Sequence, residues 1–112
     1  GCIYNVYNQL GPGLLESVYE EALIYELDKA ELVVRSQVEV PIVYDDIYLS
    51  TPLRIDILVE DSIILELKSV EELKKVHYKQ LQTYLKLTDR KLGLLINFNT
   101  DNIRNDIHRI AM

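Results

Sequence analysis

The sequence has very little of several residue types that mark particular classes of protein. Its 112 residues include one cysteine and no tryptophan. Because a single cysteine cannot form a disulfide within the chain, a hydrophobic core has to hold the fold together, as in proteins of the reducing cytosol. The chain has no secretory signal pattern and no apolar run near the roughly 18 residues of a membrane-spanning helix. We therefore expect a cytoplasmic protein that has no contact with membranes.

Positive charge is also scarce. Eighteen acidic residues outnumber twelve basic ones, and the formal net charge is -6 at pH 7. Since proteins that coat nucleic acid are usually basic, this total argues against that class. The charges are unevenly distributed, however, because residues 1–66 carry 13 acidic and 3 basic residues whereas residues 67–112 carry 5 and 9. If the basic half contacts nucleic acid, we expect weak, salt-sensitive binding unless a partner assists.

Hydrophobic residues, by contrast, are plentiful. They make up 48% of the chain, which excludes a disordered tail and is sufficient for one core. We expect a single domain over residues 1–112, with a native N-terminus a few residues longer because the chain begins with Gly1.

The period of the apolar residues predicts an α/β fold. A short helix before Gly11 and a helix over residues 14–30 precede three meandering strands, and a second long helix and a buried strand follow. The three meandering strands are predicted over residues 38–44, over a segment that ends near Val59 and over residues 63–69, and the buried strand over residues 91–98. The second long helix should end near Thr88. The last two strands should be parallel because a helix connects them. The tail from Asn99 fits either a short helix or a last strand.

Finer features of these elements can also be predicted. Pro41 indicates an edge position or a bulge in the first strand. In the second strand, strict alternation places Leu53, Ile55, Ile57 and Val59 on one face. Ser69 and Glu72 fit a capping box at the start of the second long helix, and a start several residues later remains open. Glu20 and Glu26 are expected in solvent.

The residues that best indicate a metal-binding or catalytic site are Asp56, Glu66 and Lys68. Glu66 and Lys68 are two residues apart on a strand, so both point to one face. In a symmetric hairpin centred on Asp61, opposite residues have numbers that sum to 122, and Asp56 is then the cross-strand partner of Glu66. Like charges in that position are destabilising, and a divalent cation such as Mg²⁺ would resolve the repulsion. Two alternatives remain open: Lys68 neutralises both acids, or the register slips and Asp56 lies in solvent.

Polar residues on the two long helices extend this candidate site. Glu16 borders the apolar face of the first one, although an acid there can equally serve the helix dipole. His77, Gln80 and Tyr84 follow one another at spacings of three and four residues beside the apolar stripe of the second. They fit either a ligand site or a set of hydrogen bonds within the core.

The same residues fall into motifs that match a known family. In order, the motifs are Gly13-Leu-Leu-Glu16-Ser-Val-Tyr19, Gln37-Val-Glu-Val-Pro41, Arg54-Ile-Asp56, Glu66-Leu-Lys68, Gln80-Leu-Gln-Thr-Tyr84-Leu and Gly93-Leu-Leu-Ile-Asn97-Phe98. From end to end the chain resembles the GxxExxY protein family, which is assigned to the PD-(D/E)xK nuclease superfamily. The resemblance implies a restriction-endonuclease-like αβββαβ core, with a mixed sheet flanked by helices.

The resemblance also implies roles for particular residues. Asp56 and Glu66 would bind the metal together with the backbone carbonyl of Leu67, and Lys68 would be the catalytic lysine. Glu16 matches an acid that many superfamily members place near the metal. Gln80 and Tyr84 match a Gln-x-x-x-Tyr motif that helps to place the substrate strand.

These observations lead to three hypotheses about function. The leading one is a phosphodiesterase that uses Mg²⁺, or Mn²⁺ in its place, to hydrolyse nucleic acid, with DNA as the expected substrate. The second is a binding or assembly module that keeps the nuclease fold without turnover. The third is a homo-oligomer whose paired sites meet two strands.

Overall fold

A computed structural model describes all 112 residues and contains a five-stranded mixed sheet with helices on both faces. The helices are α1 (Cys2–Leu10), α2 (Glu16–Lys29) and α3 (Lys75–Thr88). The strands are β1 (Val34–Val40), β2 (Val43–Tyr44), β3 (Ile47–Tyr48), β4 (Leu53–Val59), β5 (Ile63–Lys68), β6 (Leu92–Asn97) and β7 (Ile107–Ala111). This arrangement confirms the predicted α/β class and is consistent with a restriction-endonuclease-like fold. No helix combines the length and the apolar character needed to span a bilayer.

The sheet has the strand order β1-β4-β5-β6-β7. As predicted, β5 and β6 are parallel and α3 connects them, whereas the other neighbouring pairs are antiparallel. Both alternatives for the tail occur, because a 3₁₀ turn over Ile103–Asp106 leads into β7. The first strand was predicted over residues 38–44, but it ends at Val40. Val43 and Tyr44 instead belong to a separate hairpin of β2 and β3 with Asp45 and Asp46 in its turn.

Two apolar clusters hold the helices to the sheet. On one face, α1 and α2 pack on it, and the ring of Tyr19 stacks on that of Phe98 with centroids 4.4 Å apart. On the other face, α3 packs through Leu81 and Leu85. A Cβ atom at Gly93 would lie 2.9 Å from Leu81 Cδ1, so glycine is what lets α3 approach β6 this closely.

The first two main-sheet strands depart from the predicted alternation. β1 lies at the sheet edge and ends before Pro41, which agrees with the edge position inferred from that proline. In β4, Ile57 packs on the α2 side, but Ile55 packs on the α3 side, so the prediction of one shared face was wrong. The interruption falls at Gln37 of β1, whose φ of 48° is unusual for a strand residue. A left-handed residue bends the strand locally and redirects the side chains beyond it.

Helix α3 begins later than the capping box of Ser69 and Glu72 would place it. The helix begins at Lys75, and the Nδ1 atom of His77 accepts a 2.9 Å hydrogen bond from the Lys74 N–H. The prediction of an N-terminus at Ser69 was therefore wrong, and the later start that the pattern also allowed is the one observed. The physical reason is that His77 satisfies a free N–H group of the first turn, which leaves residues 69–74 as a loop.

Asn97, at the end of β6, anchors this loop. Its side chain is 2% exposed; it accepts a hydrogen bond from the Val70 N–H at 3.1 Å and donates one to the Val70 carbonyl at 2.9 Å. The loop follows Lys68 directly, so Asn97 holds the chain that leaves the candidate site.

Replacing Asn97 should therefore destabilise the protein. In Asn97→Ala, both polar groups of Val70 lose their partner, and an unsatisfied buried group costs about 1–3 kcal/mol. Urea unfolding should show a lower free energy of unfolding, whereas Asn105→Ala, at an exposed position, serves as the control and should unfold like the wild type. Equal stabilities of the two variants would contradict this role for Asn97.

Candidate active site

The acidic residues singled out from the sequence lie on the adjacent strands β4 and β5. The structure pairs Ile57 with Leu65, Leu58 with Ile64 and Val59 with Ile63, which confirms the register whose residue numbers sum to 122. The paired ladder ends at Ile57 and Leu65, so Asp56 and Glu66 lie immediately beyond it rather than within it.

Backbone N–H groups position both carboxylates at this point. The Asp56 N–H donates to Glu66 Oε1 at 3.3 Å, and the Leu67 N–H donates to Asp56 Oδ2 at 2.9 Å. Each side chain thus reaches across to the neighbouring strand. The two carboxylates lie close together because the backbone N–H groups that bind them lie just beyond the last paired residues of β4 and β5.

Burial makes this site unfavourable for negative charge. Glu66 is 4% exposed, and burial together with the charge of Asp56 raises the pKa of Glu66 from 4.5 to about 9, although Lys68 acts in the opposite direction. Glu66 therefore holds a proton at pH 7 when no cation is bound.

The donor set fits a hard divalent cation. Carboxylate oxygens are its preferred ligands, and a cation would take the place of the Glu66 proton. No group of three His, Cys, Asp or Glu side chains is close enough to form a complete protein cage. Mg²⁺ is commonly bound by one or two carboxylates with waters and substrate phosphates completing its shell.

Helix α3 brings Gln80 and Tyr84 to the same place. Gln80 Nε2 donates to the Tyr84 hydroxyl at 3.2 Å. Burial raises the pKa of Tyr84, and its proximity to the Glu66 and Asp56 carboxyl groups adds to that rise. Together with Lys68, these side chains line a cleft of about 470 Å³. His77 also borders the cleft, but its Nδ1 atom is engaged in capping α3.

Helix α2 contributes acids to the other side of the site. Glu16, its first residue, is exposed and makes no hydrogen bond or ion pair with Asp56 or Glu66. Glu20 was expected in solvent but is half-buried; burial raises its pKa, and the charges of Asp56 and Glu16 add to that effect. Gln37 Nε2 donates to Glu20 Oε1 at 2.7 Å.

Sequence reasoning missed Glu20 and Gln37 as neighbours of the site. A signal was present, because Glu16 and Glu20 are four residues apart and share a helix face. Glu26 was likewise expected in solvent, yet it is 7% exposed on the inner side of α2, where the Cys2 thiol contacts its carbonyl.

Comparison with known families accounts for this arrangement. The family model described as the PD-(D/E)XK nuclease superfamily matches residues 1–110. The chain belongs to the PD-(D/E)XK nuclease superfamily. Nucleases of this superfamily act on nucleic acid and typically use divalent metal ions, so the chain is nuclease-like.

A solved structure shares this fold. The protein described as "Crystal structure of SSO0001" is 26% identical to the chain and superposes with a TM-score of 0.64. The alignment covers 85% of this chain and 48% of that one, so the chain corresponds to about half of that protein. No curated protein matches the chain.

Proposed function

We propose that the protein is a metal-dependent phosphodiesterase that hydrolyses nucleic acid, with DNA as its substrate. The observation that carries this proposal is the position of two acids, Asp56 and the buried Glu66, whose carboxylates each reach across to the backbone of the adjacent strand beside a lysine. A structural ion pair would not need a second acid at this position, whereas a cation site does.

Asp56 and Glu66 would hold the cation, with the Leu67 carbonyl as a further ligand and Mg²⁺ or Mn²⁺ as the ion. When bound, the ion lowers the pKa of a water and stabilises charge on the phosphate. Asp56 is already oriented for this purpose by the Leu67 N–H.

The remaining residues would orient the substrate. Lys68, two residues after Glu66 on β5, would hold the attacking water or a phosphate oxygen. Gln80 and Tyr84 would set the position of the substrate strand across the cleft. Glu16 is the helix-borne acid of the family motif, and Glu20 lies one turn further along α2.

A metal titration tests the binding part of this proposal. Isothermal calorimetry with Mg²⁺ and then Mn²⁺ should show saturable binding to the wild type. If neither ion binds, the metal site and the proposed activity are both excluded.

Substitution of Lys68 tests the catalytic part. We expect Lys68→Ala to retain metal binding but to lose cleavage of a labelled oligonucleotide by about 100-fold or more, because charge on the phosphate is no longer offset. Lys91→Ala is the matched control, since Lys91 precedes β6 at the opposite end of the sheet and should leave cleavage unchanged. Cleavage that survives Lys68→Ala would point to a contaminating nuclease.

The other candidate is a nuclease-fold module that binds nucleic acid or a partner without turnover. The small, acidic chain favours it, since little surface remains to grip a duplex. Metal binding without cleavage by the wild type would support this alternative. Light scattering at several concentrations tests the homo-oligomer whose paired sites would meet two strands.

A further inference from the structure

The charges around the candidate site are divided between its two sides. On one side is α3, which carries three lysines and no acidic residue. Its Lys79 lines the 470 Å³ cleft together with Lys68, Gln80, Thr83 and Tyr84. Every polar side chain of this cleft is either cationic or an uncharged hydrogen-bonding group at neutral pH.

The opposite side of the site is acidic. Glu20 of α2 accepts a 2.7 Å hydrogen bond from Gln37 of β1, the strand that pairs with β4, and Glu16 precedes Glu20 on the same helix. β1, the neighbour of β4 on that side, carries Glu39, which forms a 2.9 Å ion pair with Arg54. This pair engages the charge of Arg54, and neither Glu16 nor Glu20 forms an ion pair with a basic side chain.

From this division we infer that the site accepts one nucleic-acid strand, whose phosphates follow the cleft between Lys68 and Lys79. The inference rests on the proposed function, since it places the reacting phosphate at Asp56 and Glu66. A single strand needs one basic track, which α3 and the end of β5 supply. A duplex spanning the site would bring its second backbone towards Glu16 and Glu20, where like charges repel.

Tyr84 gives the same cleft a surface for a base. Aromatic rings in basic grooves hold unpaired bases by stacking, which tolerates any sequence. The hydrogen bond from Gln80 fixes the hydroxyl end of Tyr84 at the cleft. Paired bases of a duplex are already stacked on each other and cannot use this ring without unpairing.

Fluorescence anisotropy tests the inference directly. A labelled single-stranded oligonucleotide and the blunt duplex of the same sequence are titrated with wild-type protein at low salt in EDTA, which prevents cleavage. We expect the single strand to bind several-fold more tightly. Lys79→Ala should weaken that binding and reduce the slope of log K against log salt by about 0.7, the value for one phosphate contact on a single strand. Lys91→Ala should change neither quantity.

Three results would overturn the inference: equal or tighter binding of the duplex, an unchanged salt slope in Lys79→Ala, or no binding of the single strand. Cleavage assays with Mg²⁺ separate this inference from the proposed function. If the duplex and the single strand were cleaved equally, the proposed nuclease function would stand and the inference of a single-stranded substrate would be wrong. If the single strand bound in a Lys79-dependent way but was not cleaved, the proposed binding of one strand along the cleft would stand. The proposed hydrolytic activity would then be wrong.

Discussion

Asp56→Asn should abolish metal binding and nuclease activity while leaving the protein as stable as the wild type. The substitution removes one of the two carboxylates that face each other at the end of β4 and β5. Loss of groups that merely orient metal ligands costs 10- to 100-fold in affinity, so loss of a ligand itself should exceed about 100-fold. The asparagine oxygen can still accept the hydrogen bond from the Leu67 N–H, and the charge that opposes ionisation of Glu66 disappears.

This variant should therefore lose metal binding and nuclease activity but keep the stability of the wild type. Calorimetry should detect no Mg²⁺ binding, and thermal unfolding should give a Tm that is no lower than that of the wild type. Asp46→Asn is the matched control, because Asp46 lies exposed in the β2–β3 turn with a φ of 64°, which asparagine tolerates. If Asp56→Asn bound the metal with wild-type affinity, Asp56 would not be a metal ligand. A large drop in Tm would show that Asp56 has a structural role.

The stability of the metal-free protein should fall as the pH rises from about 4.5 to about 9. Glu66 has an ordinary pKa of 4.5 in the unfolded chain and a pKa of about 9 in the folded one. Between these values the native state binds the proton and the unfolded state has released it, so raising the pH favours unfolding. The contribution of Glu66 is complete below the lower pKa and lost above the upper one, with a slope of at most about 1.4 kcal/mol per pH unit.

Urea unfolding at a series of pH values in EDTA measures this slope. Glu66→Gln places a neutral side chain of similar shape in the same position, so most of the slope should disappear. Glu21→Gln, an exposed position on α2, should retain it. Saturating Mg²⁺ should also flatten the profile, because the cation replaces the proton. A pH profile that is identical in wild type and Glu66→Gln would show that Glu66 ionises normally.

Much of this site could be predicted from the sequence because its central part is local. Asp56 and Glu66 belong to one hairpin, so the positions of the turn and of the apolar residues were sufficient to predict their register. The same reasoning failed at Ile55, because the bend at Gln37 depends on how β1 pairs with β4. The start of α3 was misplaced for a related reason: several polar residues could cap it, and only the packed structure selects His77.

The sequence by itself determined the α/β class, the order of the main elements, the parallel pairing around α3 and the contact between the two strand acids. These properties follow from hydrophobic period and hairpin geometry, which act over a few residues. Only the tertiary structure decided that Gln80 and the Tyr84 hydroxyl it binds lie beside Lys68 in the cleft, that Glu20 is bound by Gln37 of β1, and that basic and acidic groups lie on opposite sides of the site. Those relations join elements far apart in the chain, and they depend on which helix packs on which face of the sheet.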